Sequence, residues 1–346
     1  MRVLVAMSGG VDSSVAAARL VAAGHEVTGA TLKLWGGASD TGCCAVSDVD
    51  DARRVADRLG ITHHTFAYGD EFDAHVIGPY VAAHERGETP NPCVECNRHL
   101  KFGALLARAD RLGFDAVATG HHAQVDTGPT GRRAVARGAD RAKDQSYVLA
   151  GLDHDRLDRV LFPVGDSAKA DLRAEAGRLG LRTATKPDSQ DVCFITRADG
   201  RRAFLASRTA LTPGVVVDTA GAPVGRVDAV EAVTLGQRRG LGLPGGTGPR
   251  YVLSSDPATA TVVVGSESDL RVGGQPLRDL RWADGPIDDP LDWQVSAHGE
   301  TRPGTVDQAA GATALRWAQP ERRVAPGQVV VGYRDDVVVA WATASR

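Results

Sequence analysis

A loop of small side chains near the start of the chain has the clearest potential for chemistry. Residues 8–14 read Ser-Gly-Gly-Val-Asp-Ser-Ser and follow the apolar run 3–6, a pattern that predicts a buried parallel strand. The paired glycines allow a sharp turn and a close approach of the backbone to a ligand. Where a strand, such a loop and a helix N-terminus meet, unpaired N–H groups and the helix dipole favour a bound anion. The sequence therefore predicts an anion site at residues 8–14.

The helix after this loop is expected over residues 13–23, with Asp12, Ser13 and Ser14 forming its cap and first turn. The loop differs from the common phosphate-binding loop, because no Gly-Lys-Ser/Thr follows its glycines. It therefore supplies no lysine of its own to reach a terminal phosphate.

Two thiols at C-x-x-C spacing, Cys93 and Cys96, form the second candidate group. We expect Asn97 to cap a helix over 100–112, which would place Cys96 near the positive end of a helix dipole and beside basic side chains. Such surroundings lower the pKa of a thiol and favour the thiolate. A further thiol of interest, Cys193, lies almost a hundred residues later.

Other interpretations of the cysteines stay open at this point. A buried cysteine often serves only as a small apolar core residue, and this is an alternative interpretation for Cys43 and Cys44. A zinc ribbon would need a second C-x-x-C pair, and the sequence has none. Cys93, Cys96 and Cys193 could instead hold an iron–sulfur cluster whose fourth ligand does not come from the protein.

The composition is that of an ordinary globular chain. Its 346 residues are 42% hydrophobic and 24% charged, enough for two or three domains with real cores. The formal net charge of −3 argues against a strongly basic nucleic-acid coat but allows a local basic patch. We expect no signal peptide and no membrane contact, since no apolar run approaches ~18 residues. With five cysteines, an odd number, reduced thiols in the cytoplasm are expected.

Alternating strands and helices must position these groups. This alternation predicts an α/β domain in which helices cover both faces of a parallel sheet. Ligands of such domains bind at the carboxyl ends of the strands. We therefore place the ligand of the first loop between this loop, Leu32 and Gly120. Beyond the first strand and helix, strands are expected at 26–34, 62–66 and 116–119, helices at 48–59, 70–85, 100–112 and 168–179, and a polar hairpin at 124–139.

From about residue 211 the chain is rich in Val, Gly and Thr and carries short strand-like runs between turn signals. This pattern predicts small β domains or barrels. We therefore expect a catalytic domain over 1–208, a small central β-rich domain over 209–275 and a C-terminal β-barrel domain over 276–346. The string 240–245 matches G-x-G-x-x-G, but no strand closely precedes it, so dinucleotide binding is not expected there.

Six short strings, in order along nearly the whole chain, carry a specific resemblance. The first, at 8–13, resembles the PP-loop of ATP pyrophosphatases, which split ATP between its α and β phosphates and transfer AMP to a substrate oxygen. Taken together, the six resemble the bacterial tRNA-uridine 2-sulfurtransferases, also called tRNA-specific 2-thiouridylases. The other five are Asn-Pro-x-x-x-Cys-Asn at 91–97, Thr-Gly-His at 119–121, Lys-Asp-Gln-Ser-Tyr at 143–147, Asp-Ser-Gln-Asp-x-Cys-Phe at 188–194 and Leu-Gly-Gln-Arg-Arg-Gly-Leu at 235–241.

The resemblance implies a PP-loop domain of the adenine nucleotide alpha hydrolase type and a role for each matching residue. Cys96 matches the nucleophile and Cys193 the cysteine that carries the persulfide, with Asp12 in the catalytic set. Many family members have aspartate where this chain has Cys93, which leaves the role of Cys93 open. The positions that match ATP contacts are Ala6, Met7, Ser8, Gly9, Gly10, Val11, Asp12, Ser13, Leu32 and Gly120. Those that match tRNA contacts are Asn91, Pro92, Cys93, His121, Lys143, Asp144, Gln145, Arg316, Trp317 and Gln328.

The implied reaction is the ATP-dependent 2-thiolation of the wobble uridine of tRNA. Adenylation turns the C2 oxygen, a poor leaving group, into AMP, a good one, and Mg²⁺ near Asp12 would stabilise the departing pyrophosphate. A persulfide on Cys193 then supplies the sulfur by one of two routes. Either Cys96 attacks the persulfide and releases hydrosulfide, or the persulfide attacks C2 and Cys96 resolves it. Both routes require the two sulfurs to come within bonding distance.

The implied partners are tRNA, read through an unstacked base and local basic patches, and a persulfide donor or relay protein. One rival is another PP-loop adenylating enzyme, such as an amide-forming synthetase, which would not need the two thiols. An iron–sulfur-dependent tRNA thiolase is a second rival. A third is a non-catalytic RNA-binding or metal-binding module with a vestigial PP-loop, which would show no turnover of ATP to AMP.

Overall fold

A five-stranded parallel sheet forms the centre of the N-terminal part of the protein. The computed structural model describes residues 1–34, 46–128, 131–188, 192–195, 200–244, 248–309 and 311–346. The strands are Arg2–Ala6 (β1), Glu26–Lys33 (β2), Thr62–Ala67 (β3), Ala116–Thr119 (β4) and Val160–Leu161 (β7), while Ala123–Thr127 (β5) and Arg133–Arg137 (β6) form a separate hairpin. The order is β3-β2-β1-β4-β7 and every pairing is parallel. The predicted α/β fold is confirmed.

Side chains of β1 alternate between two apolar clusters, one on each face of the sheet. Val3 and Val5 pack into one cluster and Leu4 into the other, and none of the three has exposed surface. Successive residues of a strand point to opposite faces, so an unbroken apolar run is what a doubly covered strand requires. Helices Val11–Ala22 (α1) and Val46–Leu59 (α2) cover the Val3 face.

The Leu4 face is covered by two long helices that contain wider, π-type turns. The first consists of Gly69–Phe72, Asp73–Ile77 and Gly78–Glu85. The second, which we call the thiol helix (residues 92–111), consists of Pro92–Glu95, Cys96–Ala104 and Leu105–Arg111. The shorter helices are Ser146–Leu149, His154–Leu157, Lys169–Arg178, Arg182–Thr185, Gly200–Ala206, Val230–Ala232 and Ser268–Leu270. Within the described ranges, no helix has the length and apolarity needed to cross a membrane.

The starts of two helices differ from the prediction. Helix α1 begins at Val11 rather than at residue 13, with Gly10 as its N-cap and no side chain bonded to the cap. The three residues do lie in the first turn, as predicted, but none of them is the cap, because the helix begins one residue before Asp12. The N–H groups of that turn are left without a side-chain cap, which suits an anion better than a capped turn would.

The thiol helix begins at Pro92, well before the predicted start at residue 100. Asn91 is its cap, since its Oδ1 accepts a hydrogen bond from the Cys93 N–H at 3.0 Å. Proline suits the first turn because its missing N–H would have no partner there. Asn97, the predicted cap, instead donates from Nδ2 to the carbonyl of Val148 at 2.9 Å. The positive end of the helix dipole therefore lies at Cys93, and Cys96 lies one turn further in.

The chain beyond residue 211 forms two β structures, in agreement with its composition. The central sheet contains Gly214–Val217 (β8), Pro223–Val227 (β9), Tyr251–Asp256 (β10) and Thr261–Gly265 (β11), in the order β10-β11-β8-β9. The C-terminal strands are Arg271–Trp282 (β12), Leu291–Gln294 (β13), Arg302–Ala309 (β14), Ala312–Arg322 (β15), Val329–Arg334 (β16) and Val337–Ala344 (β17). Their order is β12-β15-β14-β13-β16-β17, and β17 pairs with β12 to close an antiparallel barrel. The division of the chain at residues 208 and 275 stays a prediction.

The hairpin β5–β6 joins the N-terminal part to this barrel. Ala136 of β6 pairs with Val337 of β17. The Arg137 guanidinium lies over the ring of Tyr333, at 3.7 Å from the centroid, and donates to Asp144 at 2.8 Å. Asp144 also accepts from the backbone N–H of Gly138 at 2.9 Å. The hairpin was predicted, but its pairing with the barrel was not.

We predict that Arg137→Met lowers the free energy of unfolding by about 3–5 kcal/mol, because it leaves the buried carboxylate of Asp144 uncompensated. The two side chains of this pair are only 12% and 4% exposed. The matched control is Arg141→Met, whose ion pair with Asp336 has side chains 55% and 58% exposed and should contribute less than about 1 kcal/mol. Urea-induced unfolding at neutral pH measures both losses. Equal losses would contradict the assignment, as would a failure of Asp144→Asn to restore part of the stability of Arg137→Met.

A buried histidine joins the N-terminal part to the central sheet. His84, in the segment Gly78–Glu85, is 1% exposed. Its Nδ1 donates to the carbonyl of Glu231 at 2.9 Å, because a carbonyl can only accept. Its Nε2 has no hydrogen-bond partner among the described residues. Burial lowers the pKa of His84 to about 4, so the side chain is neutral at physiological pH.

This histidine should make stability depend on pH. The unfolded chain binds the proton more tightly, with a pKa of about 6.5, so the contribution is fully present above pH ~6.5 and is lost as pH falls toward 4. The loss is on the order of 3 kcal/mol. In His84→Gln, whose amide can still donate to Glu231, the unfolding free energy should fall less over this window. Parallel pH profiles of the two proteins in urea titrations would refute the assignment.

Candidate active site

The loop at residues 8–10 is folded onto the first turn of α1 by its own serines. The Ser8 N–H donates to the Ser13 hydroxyl at 3.2 Å, and the Ser14 hydroxyl donates to the Gly10 carbonyl at 2.8 Å. Gly9 has a φ of +72°, and a Cβ added there would lie 2.2 Å from the carbonyl oxygen of Asp48. Only glycine fits both the conformation and the space.

The carboxyl ends of neighbouring strands meet at this loop. Gly120 follows β4, and a Cβ added to it would lie 2.4 Å from the backbone nitrogen of Ser13. Leu32 is buried near the end of β2, which pairs with β1. The predicted ATP positions 6–13, Leu32 and Gly120 therefore lie at one edge of the sheet, although nucleotide contact itself stays a prediction.

Asp12 lies in an ion network that the sequence did not reveal. Lys169 Nζ donates to both carboxylate oxygens of Asp12, at 2.8 and 2.7 Å, and His122 Nε2 lies 3.2 Å from Oδ1. Burial alone would raise the pKa of Asp12, but the hydrogen bonds from His122 and Lys169 outweigh it and hold the pKa below its ordinary value. Lys169 belongs to none of the recognised strings, and its position at the start of a helix was the sole signal in the sequence.

A second carboxylate, Asp188, extends this network. It accepts from Lys143 at 2.7 Å and Arg173 at 2.7 Å, and Lys169 lies 3.1 Å away. Burial opposes ionisation, but the lysine hydrogen bonds hold the pKa of Asp188 far below its usual range. Lys143, a predicted tRNA contact, is thus placed beside the loop with a 42% exposed side chain.

The donor set around Asp12 does not fit a magnesium ion. Mg²⁺ needs carboxylate oxygens that are open to it, usually with substrate phosphates completing the octahedron. Both oxygens of Asp12 instead contact a lysine ammonium. Within the described ranges, no group of three or more His, Cys, Asp or Glu side chains is placed to hold a metal ion. We therefore assign no step to a metal on Asp12, and the iron–sulfur alternative is not favoured.

Cys96 and Cys193 pack in the same apolar cluster, although almost a hundred residues separate them in the sequence. Cys96 is buried in this cluster and Cys193 is half-buried against it. Phe194 holds the second segment in place by edge contacts with Phe72 and Tyr80, with ring centroids 5.7 and 5.4 Å apart. Leu32 belongs to the same cluster, so the thiols lie on the face of the sheet to which this residue of the expected ATP site contributes. Cys43 and Cys44 fall outside the described residues.

The barrel holds the segment that leads into the thiol helix. Arg278 donates to both carboxylate oxygens of Glu88, at 2.6 and 3.1 Å. The Thr89 N–H donates to the carbonyl of Pro326 at 2.7 Å, and the Gln328 side chain donates to the carbonyl of Thr89. Gln328, a predicted tRNA contact, therefore lies next to the loop that contains Asn91.

The other predicted tRNA residues have varied surroundings. His121 is buried, and its Nε2 faces the Lys101 ammonium at 3.4 Å, so its Nδ1 carries the hydrogen donated to Thr119 Oγ1 at 2.7 Å. Burial lowers the pKa of His121 well below its usual value. The Gln145 side chain accepts from the His122 N–H at 2.9 Å. The pair 316–317 lies in the C-terminal barrel: Arg316 is exposed on β15 and paired with Asp307, and Trp317 packs in the barrel core.

Comparison with solved structures finds likenesses that span about half of the chain. One is a U34-tRNA thiolase NcsA from Methanococcus maripaludis with its [4Fe-4S] cluster, at 16% identity and a TM-score of 0.36, covering 54% of this chain and 59% of the other. Another is a 4-thiouridine synthetase–RNA complex with bound ATP, at 16% identity and a TM-score of 0.38, covering 56% and 44%. Scores this low do not bear on function.

Comparison with protein families and curated relatives covers the chain far better. The model described as the tRNA methyl transferase HUP domain matches residues 1–197, and that of the tRNA methyl transferase PRC-barrel domain matches residues 202–266. The tRNA-specific 2-thiouridylase MnmA of Acidothermus cellulolyticus is 48% identical, over 100% of this chain and 98% of the relative. That of Mycolicibacterium smegmatis is also 48% identical, over the full length of both. This similarity, over the same strings that form the loop and carry the two thiols, shows that the chain belongs to the tRNA-specific 2-thiouridylase family.

Proposed function

We propose that the protein thiolates the wobble uridine of tRNA at C2, consuming ATP and a persulfide sulfur and yielding 2-thiouridine, AMP and pyrophosphate. The observation that carries the proposal is the packing of Cys96 and Cys193 in one apolar cluster that includes Leu32. Membership of a family whose curated members are named for this activity supports the substrate and the product.

The first step is adenylation of the uracil C2 oxygen. The oxygen attacks the α-phosphorus of ATP, the α–β bridge breaks, and pyrophosphate leaves. The uncapped first turn of α1 provides N–H groups for the phosphates, and Lys143 and Lys169 are the nearby cations. Such preorganised donors stabilise charge that develops on the leaving group.

The second step replaces oxygen by sulfur at C2. The Cys193 persulfide, charged by a donor protein or a small persulfide, is the sulfur source. In one route the Cys96 thiolate attacks the inner sulfur, a Cys96–Cys193 disulfide forms, and the released hydrosulfide attacks C2 and expels AMP. In the other, the outer persulfide sulfur attacks C2, AMP leaves, and Cys96 then attacks Cys193 to free the thiocarbonyl. Either route ends in a disulfide that an external dithiol must reduce, which suits the predicted cytoplasmic location.

The test is the conversion of unmodified tRNA by the full-length protein with ATP, Mg²⁺ and a persulfide donor, followed by mass spectrometry of the nucleosides. We expect 2-thiouridine from the wild type. Cys96→Ser and Cys193→Ser should each lower its formation at least about a thousand-fold, because each removes a reacting atom. Release of pyrophosphate should persist in both variants, since adenylation precedes sulfur transfer. Full 2-thiouridine formation in either variant would overturn the thiol mechanism.

Cys93→Ser, on the same helix, separates the proposal from the iron–sulfur alternative. A cluster held by three thiolates predicts that Cys93→Ser is as damaging as Cys96→Ser. The persulfide mechanism predicts a much smaller effect, because Cys93 exchanges no sulfur. The same mass spectrum tests methyl transfer, the activity in the description of the family models, because an added methyl group and an oxygen-to-sulfur exchange change the nucleoside mass differently.

A further inference from the structure

We infer that Lys169 contacts the phosphate chain of ATP and that Asp12 holds Lys169 in place for that contact rather than binding a metal ion. The inference rests on the proposed function for the identity of the nucleotide. The loop at residues 8–14 has no lysine of its own, and in this inference the helix Lys169–Arg178 supplies one.

The backbone of Lys169 is fixed relative to the loop. Lys169 is the first residue of the helix Lys169–Arg178, and its N–H donates to Asp140 at 2.9 Å. Further along this helix, Glu175 accepts from Arg19 of α1 at 2.7 Å. This ion pair fastens the helix along α1, whose first turn adjoins the loop. The lysine is therefore carried by an element that is attached directly to the helix at the anion site.

The side chain of Lys169 is directed at that site. It is 12% exposed, and its ammonium contacts both oxygens of Asp12 and one of Asp188. Asp188 also forms ion pairs with Lys143 and Arg173. Two lysines thus converge on one carboxylate beside an uncapped helix N-terminus. A polyphosphate carries more charge and more acceptor oxygens than a carboxylate, so it can take the lysine contacts of Asp188 while Asp12 keeps Lys169 in position.

The same contacts argue against Asp12 as a metal ligand. An ammonium at 2.7 to 2.8 Å from both oxygens occupies the side of the carboxylate that a divalent cation would need. A divalent cation bound there would also lie close to the Lys169 ammonium, and the two positive charges would repel each other. The positive charge nearest to the leaving pyrophosphate is then supplied by the protein itself.

The experiment measures binding of an ATP analogue with a methylene bridge between its α and β phosphates, which the enzyme cannot cleave. Titration calorimetry compares the full-length wild type, Asp12→Asn and the double variant Asp12→Asn/Lys169→Met, each in EDTA and in Mg²⁺. The double variant is needed because Lys169→Met alone would remove the ammonium partner of Asp12, and the Asp12 carboxylate would then repel phosphate whether or not the lysine touches it. Removal of both partners avoids that artefact and preserves folding better.

The double variant should bind the analogue about ten- to a hundred-fold more weakly than Asp12→Asn in EDTA, as expected for loss of a charge-assisted contact. Asp12→Asn/Lys169→Arg should recover part of the affinity. The matched control is Arg141→Met, which removes a cation from an exposed ion pair with Asp336 and should change affinity less than about two-fold. Thermal melts confirm that each variant is folded.

Equal affinities of Asp12→Asn and the double variant would overturn the contact between Lys169 and phosphate. If Asp12→Asn weakened binding only in Mg²⁺ and not in EDTA, Asp12 would be a metal ligand and the second half of the inference would fail. The 2-thiouridine assay of the wild type separates this outcome from the proposed function. A wild type that makes no 2-thiouridine, together with a weakened double variant, would refute the function and leave the phosphate contact standing.

Discussion

The structure depends on two close backbone contacts at the carboxyl ends of the strands: the loop after β1 lies against α2, and the residue after β4 lies against the first turn of α1. At Gly9 and Gly120 the backbone of one element lies within van der Waals distance of the backbone of another, and a single added carbon would collide at 2.2 and 2.4 Å. Backbone atoms cannot move aside as the end of a flexible side chain can. Two glycines, far apart in the sequence, are therefore required for the packing of α1 and α2 at this end of the sheet. That arrangement brings Asp12 within reach of His122 and Lys169.

The C-terminal barrel also positions residues of the N-terminal part. It contacts the segment before the thiol helix through Arg278 and Gln328. It contacts the Lys-Asp-Gln-Ser-Tyr string through Val329, whose carbonyl accepts from the Tyr147 hydroxyl at 2.7 Å. Burial raises the pKa of this tyrosine, so it stays a neutral donor at any physiological pH. Two strings that the family resemblance linked to tRNA are therefore positioned by the barrel, which explains physically why a loss of barrel packing should disturb them.

Local signals predicted four of the five strands of the parallel sheet, and the clearest of these signals is the unbroken apolar run of the buried strand β1. They missed β7, which has only two residues. They also failed at the starts of α1 and the thiol helix, where more than one residue could serve as the cap. Asp12 and Asn97 are both good capping residues, yet Gly10 and Asn91 have those positions, because Pro92 favours a first turn and close packing at Gly9 fixes the loop. Contacts that depend on tertiary packing left no local trace. Lys169 on Asp12 and β6 on β17 are of this kind, and no periodicity could have revealed them.

The two halves of the proposed reaction need opposite surroundings, and strand geometry explains how one edge of the sheet offers both. Phosphates need cations and N–H groups, whereas a thiol reaction beside an activated base benefits from an apolar setting that excludes water. Alternation along β1 sends Val3 and Val5 to the α1 face and Leu4 to the face of the thiol helix. Helix α1, which follows the polar loop, and the apolar cluster of the thiols therefore lie on opposite faces of the sheet. Leu32 of that cluster lies near the carboxyl end of β2, which is the end of the sheet that holds the loop.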